Sequence, residues 1–190
     1  MNKTKEKIIL STLTLFSEKG IAKTSVNEVA YHAGVTRVTV YRHFLNKEEL
    51  VRAAYLQVEQ VFQKGLEELQ NTPSTDWENV LKQIGDDLST LPSRDVFAHF
   101  DELKRLYPDV YNSIQKVREV TLSGIFDRIF TITESQNLLR PGLNPTIVQA
   151  IFWELIINLF DNPRFKSCGL SNAELYNTMT DLLLHGILIN

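Results

Sequence analysis

The sequence predicts an all-α protein of about nine helices, and three observations support this fold class. Apolar residues recur at helical spacing along most of the 190 residues, N-terminal capping patterns precede several of these stretches, and β-rich segments with hairpin dipeptides are missing. The hydrophobic content of 43% is sufficient for a packed core, and 23% charged residues is ordinary for a globular chain.

The first predicted helix covers residues 4–18. Its apolar residues fall on one helical face, and Gly20 follows as a stop signal. The face consists of Ile9, Leu13 and Phe16. An amphipathic helix is therefore a better interpretation of this segment than a signal peptide, because hydroxyl residues interrupt its apolar run.

Two short helices follow. Ser25 and Glu28 form a capping-box pattern that opens a helix to about residue 33. Gly34 permits a tight turn, and Thr36 can cap a third helix that runs to Phe44.

The rest of the chain predicts longer helices. Asn46 opens a helix that runs to about Leu69 with no linker before it, which indicates a rigid connection. A capping-box pattern at Thr75–Glu78 opens the next helix. Later helices are predicted over residues 95–106, 108–132, 145–160 and 171–189, the last behind a capping box at Ser171–Glu174.

The charge is divided unevenly between two parts of the chain. Residues 1–52 carry nine Lys or Arg and five acidic residues, and residues 53–190 carry the remaining eleven basic and eighteen acidic residues. A basic N-terminal part on an acidic remainder indicates a polyanionic partner for the first part only.

The two short helices match a helix-turn-helix in their dimensions. In that motif the second helix lies in the major groove of DNA and its N-terminal residues meet the base edges. One face of the pair is apolar and predicts a buried stripe: Val26, Val29, Ala30, Val35, Val40 and Phe44. The opposite face of the third helix predicts an exposed stripe: Arg37, Val38, Thr39, Tyr41 and Arg42.

The first 50 residues resemble the DNA-binding domain of the TetR family of transcriptional regulators. The resemblance is carried by about 45 consecutive residues with a sharp core at Thr39-x-Tyr41-x-His43-Phe44-x-x-Lys47, preceded by Thr24-Ser25-Val26 and Ala33-Gly34-Val35-Thr36. It implies a helix-turn-helix domain over residues 1–48, here called the head, and a helical ligand-sensing and dimerisation domain over residues 49–190, here called the body.

The resemblance also implies roles for residues of the head. Thr24, Ser25 and Thr36 would give hydroxyls or backbone amides to phosphates. Tyr41, His43 and Lys47 would contact the DNA backbone. Arg37 would read a guanine, with Thr39 and Arg42 as second choices for base contact.

Some of these residues have simpler interpretations. Val38 departs from the family, which often has a small residue there, and its side chain could touch a thymine methyl or hold the helix farther out. Tyr41 could be a packing aromatic, and His43 a plain surface histidine. Arg42 and Lys47 could be a solvated charged face.

The body is expected to bind an unknown small-molecule effector and to form a homodimer. Its last two helices, 145–160 and 171–189, carry more apolar surface than the exterior of a monomer normally shows. The resemblance implies that such helices pair across a dimer interface. The helix 47–69 is the expected lever to the head. The expected ligand contacts are Phe97, His99, Phe100, Tyr107, Tyr111, Gln115, Phe126, Phe130, Trp153 and Asn158, although each aromatic could simply fill the core.

The resemblance implies a cytoplasmic, ligand-responsive repressor that binds a palindromic double-stranded operator as a dimer. An adaptor or coactivator that acts through protein contacts without binding DNA is the alternative. We expect no enzyme activity, because phosphate-loop and nucleophile-elbow motifs are absent, and no catalytic, cofactor or metal site. The single Cys168 forms no intramolecular disulfide, and no apolar run is long enough to span a membrane.

Overall fold

The computed structural model describes residues 2–91, 99–159 and 171–186. Within these ranges the chain forms nine α-helices, so the predicted all-α fold is confirmed. They are α1 (Lys3–Lys19), α2 (Val26–His32), α3 (Arg37–His43), α4 (Lys47–Asn71), α5 (Trp77–Ser89), α6 (Phe100–Leu106), α7 (Pro108–Ser135), α8 (Pro145–Leu159) and α9 (Asn172–Gly186).

Most of the predicted helix starts are confirmed. At α2 the Ser25 hydroxyl accepts the Glu28 N–H while the Glu28 carboxylate accepts the Ser25 N–H, which is a complete capping box. Ser171 and Glu174 form the same reciprocal pair at α9. Asn46 caps α4 through the Glu49 N–H.

The capping box predicted at Thr75–Glu78 is wrong. The helix begins one residue later than that pattern requires, with Asp76 at the cap position and no side-chain hydrogen bond to a backbone N–H. The chain turns at residues 73–76 instead, where the Asp76 N–H donates to the Pro73 carbonyl, and that turn displaces the start of the helix.

Helix α4 organises the fold. It packs against α1 of the head and against α5 and α7 of the body, and its buried side chains join one continuous core. At Gly65 the two helices α4 and α5 approach so closely that a Cβ atom would overlap the side chain of Ile84. The domain boundary predicted at residue 48 falls in the first turn of α4, so this helix links the head and the body without a break.

Part of the predicted helices lies outside the described residues. The helix predicted over 95–106 is described from residue 99 onward, and residues 160–170, including Cys168, and 187–190 are likewise outside. None of the described helices is both long and apolar enough to cross a bilayer.

Candidate nucleic-acid interface

The turn between α2 and α3 follows from two residues. Gly34 has a φ of +63°, a backbone conformation that glycine adopts without steric cost. Two residues later the Thr36 hydroxyl accepts the Thr39 N–H at 3.1 Å and starts α3. The two hydroxyls of Thr36 and Thr39 also lie 2.9 Å apart in a hydrogen bond.

The two faces of α3 are sharply different. Val40 and Phe44 are 1% and 2% exposed and pack into the core of the head. On the other side Val38 is 69% exposed and Tyr41 39% exposed. An apolar inner face therefore fixes the rotation of α3, as the sequence predicts.

The outer face of α3 is positively charged and polar. Arg37 and Arg42 are exposed, and Thr39 is half-buried. The guanidinium carbon of Arg37 lies 5.3 Å from the ring centroid of Tyr41, which is cation–π geometry. The aromatic ring thus holds the arginine at the N-terminal end of the helix, the end that reads bases in a helix-turn-helix.

Ser25 is the residue before α2, and His43 is the last residue of α3. Ser25 is exposed, and its hydroxyl is 2.8 Å from the Glu28 carboxylate that completes the cap of α2. His43 is half-buried in the last turn of α3, with its ring 6.5 Å from that of Phe44.

The position of Thr24 does not fit its expected role as a phosphate ligand. It is 1% exposed, and its hydroxyl donates to the Gly20 carbonyl at 2.7 Å. The hydroxyl therefore satisfies a carbonyl at the end of α1 and does not reach the surface. We exclude Thr24 from the interface.

Lys47 makes a contact that the sequence did not predict. Its ammonium donates to the Ile21 carbonyl at 2.7 Å, in the turn between α1 and α2. Partial burial lowers the pKa of Lys47, although the carboxylates of Glu102 and Glu28 act in the opposite direction. An ammonium has three N–H donors, so one bond to Ile21 leaves donors for a phosphate.

The body reaches the same turn through α6. The Glu102 carboxylate accepts the N–H groups of Ile21 and Ala22 at 2.6 and 3.0 Å. Gly20 makes room for it, because a Cβ there would lie 2.7 Å from a Glu102 oxygen. No local pattern in the sequence signals this pair, since 81 residues separate Ile21 from Glu102.

Tyr31 and Leu45 are further exposed residues that sequence reasoning missed. Tyr31 is 88% exposed in the last turn of α2, and Leu45 is 86% exposed two residues after the end of α3. Large apolar residues at the ends of the two motif helices are the signal that could have identified them.

Among the described residues, the expected ligand contacts lie in several separate places. Phe100, Tyr111 and Gln115 lie together, with a T-shaped contact between the two rings and a 3.2 Å hydrogen bond from Gln115 to the Tyr111 hydroxyl. Phe126 and Trp153 instead line an open groove of about 340 Å³ between α7 and α8.

The remaining expected ligand contacts are dispersed. Phe130 is buried in the core, and Tyr107 is half-buried at the junction of α6 and α7, where burial raises the pKa of its hydroxyl. The ring of His99 faces Gly20 in the head. Phe97 and the side chain of Asn158 lie outside the described residues.

Comparison with known proteins identifies the first domain. Residues 8–54 match the family model of the bacterial regulatory proteins of the tetR family. The uncharacterised HTH-type transcriptional regulator YerO of Bacillus subtilis is 37% identical over 89 residues, which cover 45% of this chain and 30% of YerO. The probable acrEF/envCD operon repressor of Escherichia coli K12 is 38% identical over 55 residues, which cover 29% of this chain and 25% of the repressor.

Solved structures extend the likeness to the whole fold. SmeT, the repressor of the multidrug efflux pump SmeDEF of Stenotrophomonas maltophilia, has a TM-score of 0.61 over 100% of this chain and 92% of its own, with 21% sequence identity. SmeT has also been solved in complex with triclosan. Residues 8–54 therefore match the N-terminal domain of the bacterial regulatory proteins of the tetR family, and the chain as a whole shares the fold of SmeT.

Proposed function

We propose that this protein is a DNA-binding transcriptional regulator, a repressor that binds a palindromic operator as a homodimer and responds to a small molecule. The observation that carries the proposal is the orientation of α3. Its apolar face is buried through Val40 and Phe44, and its Arg37 and Tyr41 side is exposed. Such a helix can enter a major groove with a basic, hydroxyl-bearing face toward the bases.

The proposed DNA contacts are residues of the exposed face of α3 together with polar residues at the ends of α2, α3 and α4. Arg37 reads a guanine, Thr39 and Arg42 are further base contacts, and Val38 contacts a methyl group. The backbone contacts are Ser25, Thr36, Tyr41, His43 and Lys47. The excess of basic residues in residues 1–52 supports a polyanionic partner at this end of the molecule.

The dimer is proposed from exposed apolar residues on the last two helices. Ile147 and Ile151 are 59% and 53% exposed on one face of α8, and Leu182 is 62% exposed on α9. A second copy that covers these residues removes apolar surface from water and pairs two heads. Two heads suit half-sites about one helical turn apart on a palindrome.

The proposed direction of regulation is repression in the bacterial cytoplasm. The E. coli relative is named as a probable operon repressor, and SmeT is described as the repressor of an efflux pump and is solved with a small molecule bound. A ligand that prefers a form with differently placed heads lowers operator affinity by its differential affinity for the two forms. The helix α4 is the proposed lever.

Fluorescence anisotropy with a duplex selected from a random pool tests the function. We expect sequence-selective binding whose logarithmic affinity falls linearly with the logarithm of the salt concentration. Lys47→Met should weaken binding to selected and random duplexes alike and reduce the salt slope by about one per lost phosphate contact. Absence of binding at low salt would instead support an adaptor that works through protein contacts.

A further inference from the structure

The space between α4 and α7 contains a buried ion pair. Glu59 is fully buried and Arg118 is 5% exposed. Both Nε, at 3.0 Å, and Nη2 of Arg118 donate to the same carboxylate oxygen, Oε1 of Glu59. Both hydrogen bonds from Arg118 therefore end on the same carboxylate oxygen of Glu59.

Two buried oxygens here have no partner, one in the ion pair itself and one on Tyr55. Among the described residues, Glu59 Oε2 and Tyr55 Oη are the buried side-chain oxygens without a hydrogen bond. Tyr55 and Glu59 are four residues apart on α4, so their side chains share a helix face. Native proteins leave few such atoms, because each has lost its hydration without replacement.

Aromatic rings pack beside Tyr55 and Arg118. The ring of Phe100 meets that of Tyr55 edge-on at 5.3 Å, and the guanidinium of Arg118 lies 4.8 Å from the Phe100 centroid. The ring of Tyr111 also meets that of Phe100, with their centroids 6.1 Å apart. The surroundings therefore suit an apolar molecule with one polar group.

We propose that Tyr55 and Glu59 are the recognition groups of an effector site whose ligand is a small, neutral, aromatic or apolar molecule with a hydroxyl or N–H donor. The ligand's donor group donates to Glu59 Oε2, and where that group is a hydroxyl its oxygen accepts from the Tyr55 hydroxyl. The inference rests on the proposed function for the effector role but not for the binding itself.

The charge of the site selects a neutral ligand. Glu59 and Arg118 already neutralise each other, so a cation would leave an unpaired buried charge. An anion would be repelled by the negatively charged free oxygen of Glu59. A neutral donor satisfies that oxygen without adding charge.

Helix α6 can transmit occupation of this site to the head. It is seven residues long and carries Phe100, which packs on Tyr55 and Arg118, and Glu102, which holds the turn at Ile21. A ligand inserted beside Tyr55 must displace Phe100, and the short helix then moves Glu102 with it.

Isothermal titration calorimetry with phenol and toluene tests the site, because the two probes share a ring and differ in a donor. We expect the wild-type protein to bind phenol several times more tightly than toluene. Tyr55→Phe should lower the phenol affinity about three- to tenfold, the effect of one neutral hydrogen bond, and leave the toluene affinity unchanged. Glu59→Gln should abolish the preference for phenol, and its thermal unfolding curve shows whether it has folded.

Tyr176→Phe is the matched control. Its hydroxyl is also partly buried but donates to the Leu81 carbonyl at 2.9 Å, so its removal should leave phenol binding unchanged. Equal affinities for phenol and toluene, no phenol binding up to its solubility limit, or a Tyr55→Phe titration like that of the wild type would each overturn the proposal and assign the two oxygens to buried water. Duplex binding is measured separately on the same samples. If the wild-type protein binds phenol as expected but binds no duplex, the proposed function is overturned and the proposed ligand site is not.

Discussion

Glu102 of α6 accepts a hydrogen bond at 2.6 Å from the backbone N–H of Ile21, 81 residues earlier in the chain. Lys47 of α4 donates to the carbonyl of the same Ile21 at 2.7 Å. The turn between α1 and α2 is thus held on one side by the body and on the other by the first turn of α4. A displacement of α6 or of α4 must change the support of the head.

Removal of this carboxylate should loosen the head. Glu102→Gln retains the length of the side chain but loses the charge that strengthens its bonds to two backbone N–H groups. We expect a loss of about 1–2 kcal/mol in the free energy of unfolding, or a Tm lower by about 2–8 °C for a chain of this size. Hydrogen exchange should accelerate at Ile21 and Ala22.

Glu119→Gln is the control for this variant, because Glu119 is an exposed carboxylate on α7. It should leave both the Tm and the exchange in the turn unchanged. If Glu102→Gln exchanged at Ile21 as slowly as the wild type, the carboxylate would not support the turn.

Arg37 should determine base discrimination. Arg37→Ala is expected to lose about 1–3 kcal/mol of the difference between the selected duplex and one with a single changed guanine. Fluorescence anisotropy with the two duplexes measures that ratio. Lys82→Ala, an exposed lysine on α5, should leave it unchanged. An unaltered ratio for Arg37→Ala would remove Arg37 from the base-reading residues.

Thr24→Val and Thr36→Val should both lower stability but should differ in their effect on duplex affinity. Thr24→Val removes a buried hydroxyl that donates to Gly20, so we expect about 1 kcal/mol lower stability and an unchanged duplex affinity for the folded protein. Thr36→Val removes the cap of α3 at the exposed face and should lower both stability and duplex affinity. Chemical denaturation and anisotropy on both variants separate the two roles. A loss of duplex affinity in folded Thr24→Val would return Thr24 to the interface.

Glu28 should make the stability of the head depend on pH in the acid range. A hydrogen bond from the Lys19 ammonium, followed by bonds from the Ser25 N–H and hydroxyl, lowers the pKa of Glu28 from 4.5 to about 2. Because the pKa is lower in the folded state, the stabilisation is fully present above about pH 4.5 and is lost as the pH falls toward 2.

A carbon-13 NMR titration of the Glu28 carboxylate checks this value. We expect a midpoint near 2, shifted upward toward 4.5 in Lys19→Met. Lys23→Met, which removes another exposed lysine of the head, should leave the midpoint in place. A wild-type midpoint at 4.5 would contradict the ion pair.

The exposed face of α8 should control self-association. Ile151→Glu places a charge on a face that the proposed dimer buries, so we expect the dimer dissociation constant to rise at least about tenfold. Sedimentation equilibrium measures it. Leu45→Glu, an exposed apolar residue of the head, should leave the constant unchanged. A monomeric wild-type protein at micromolar concentration would refute the dimer.

The head could be predicted closely because its signals are local. The capping box at Ser25 and Glu28, the turn at Gly34 and the cap at Thr36 each act over three or four residues, and the structure confirms all three. The alternation of buried and exposed residues on α3 also followed from helical periodicity alone. The failures in this region, Thr24 and the bond from Lys47 to Ile21, both involve the turn between α1 and α2, which helical periodicity does not describe.

The interior of the body was much less predictable. The aromatic residues expected around one ligand divide between the α4–α7 interior and the groove beside Trp153. The ion pair of Glu59 and Arg118 was missed, because a charged residue within a long helix is usually solvated and nothing local indicates burial.

By itself, the sequence determined the order of the helices, most of their caps and the outward face of α3, because each of these depends on neighbours within about one turn of the chain. The tertiary structure alone decided that Glu102 supports the turn at Ile21 and that Glu59 meets Arg118 beside an unpartnered Tyr55 hydroxyl. Those contacts join residues that are 59 and 81 positions apart. Only the packing of α6 and α7 onto α4 and the head brings them within hydrogen-bond distance.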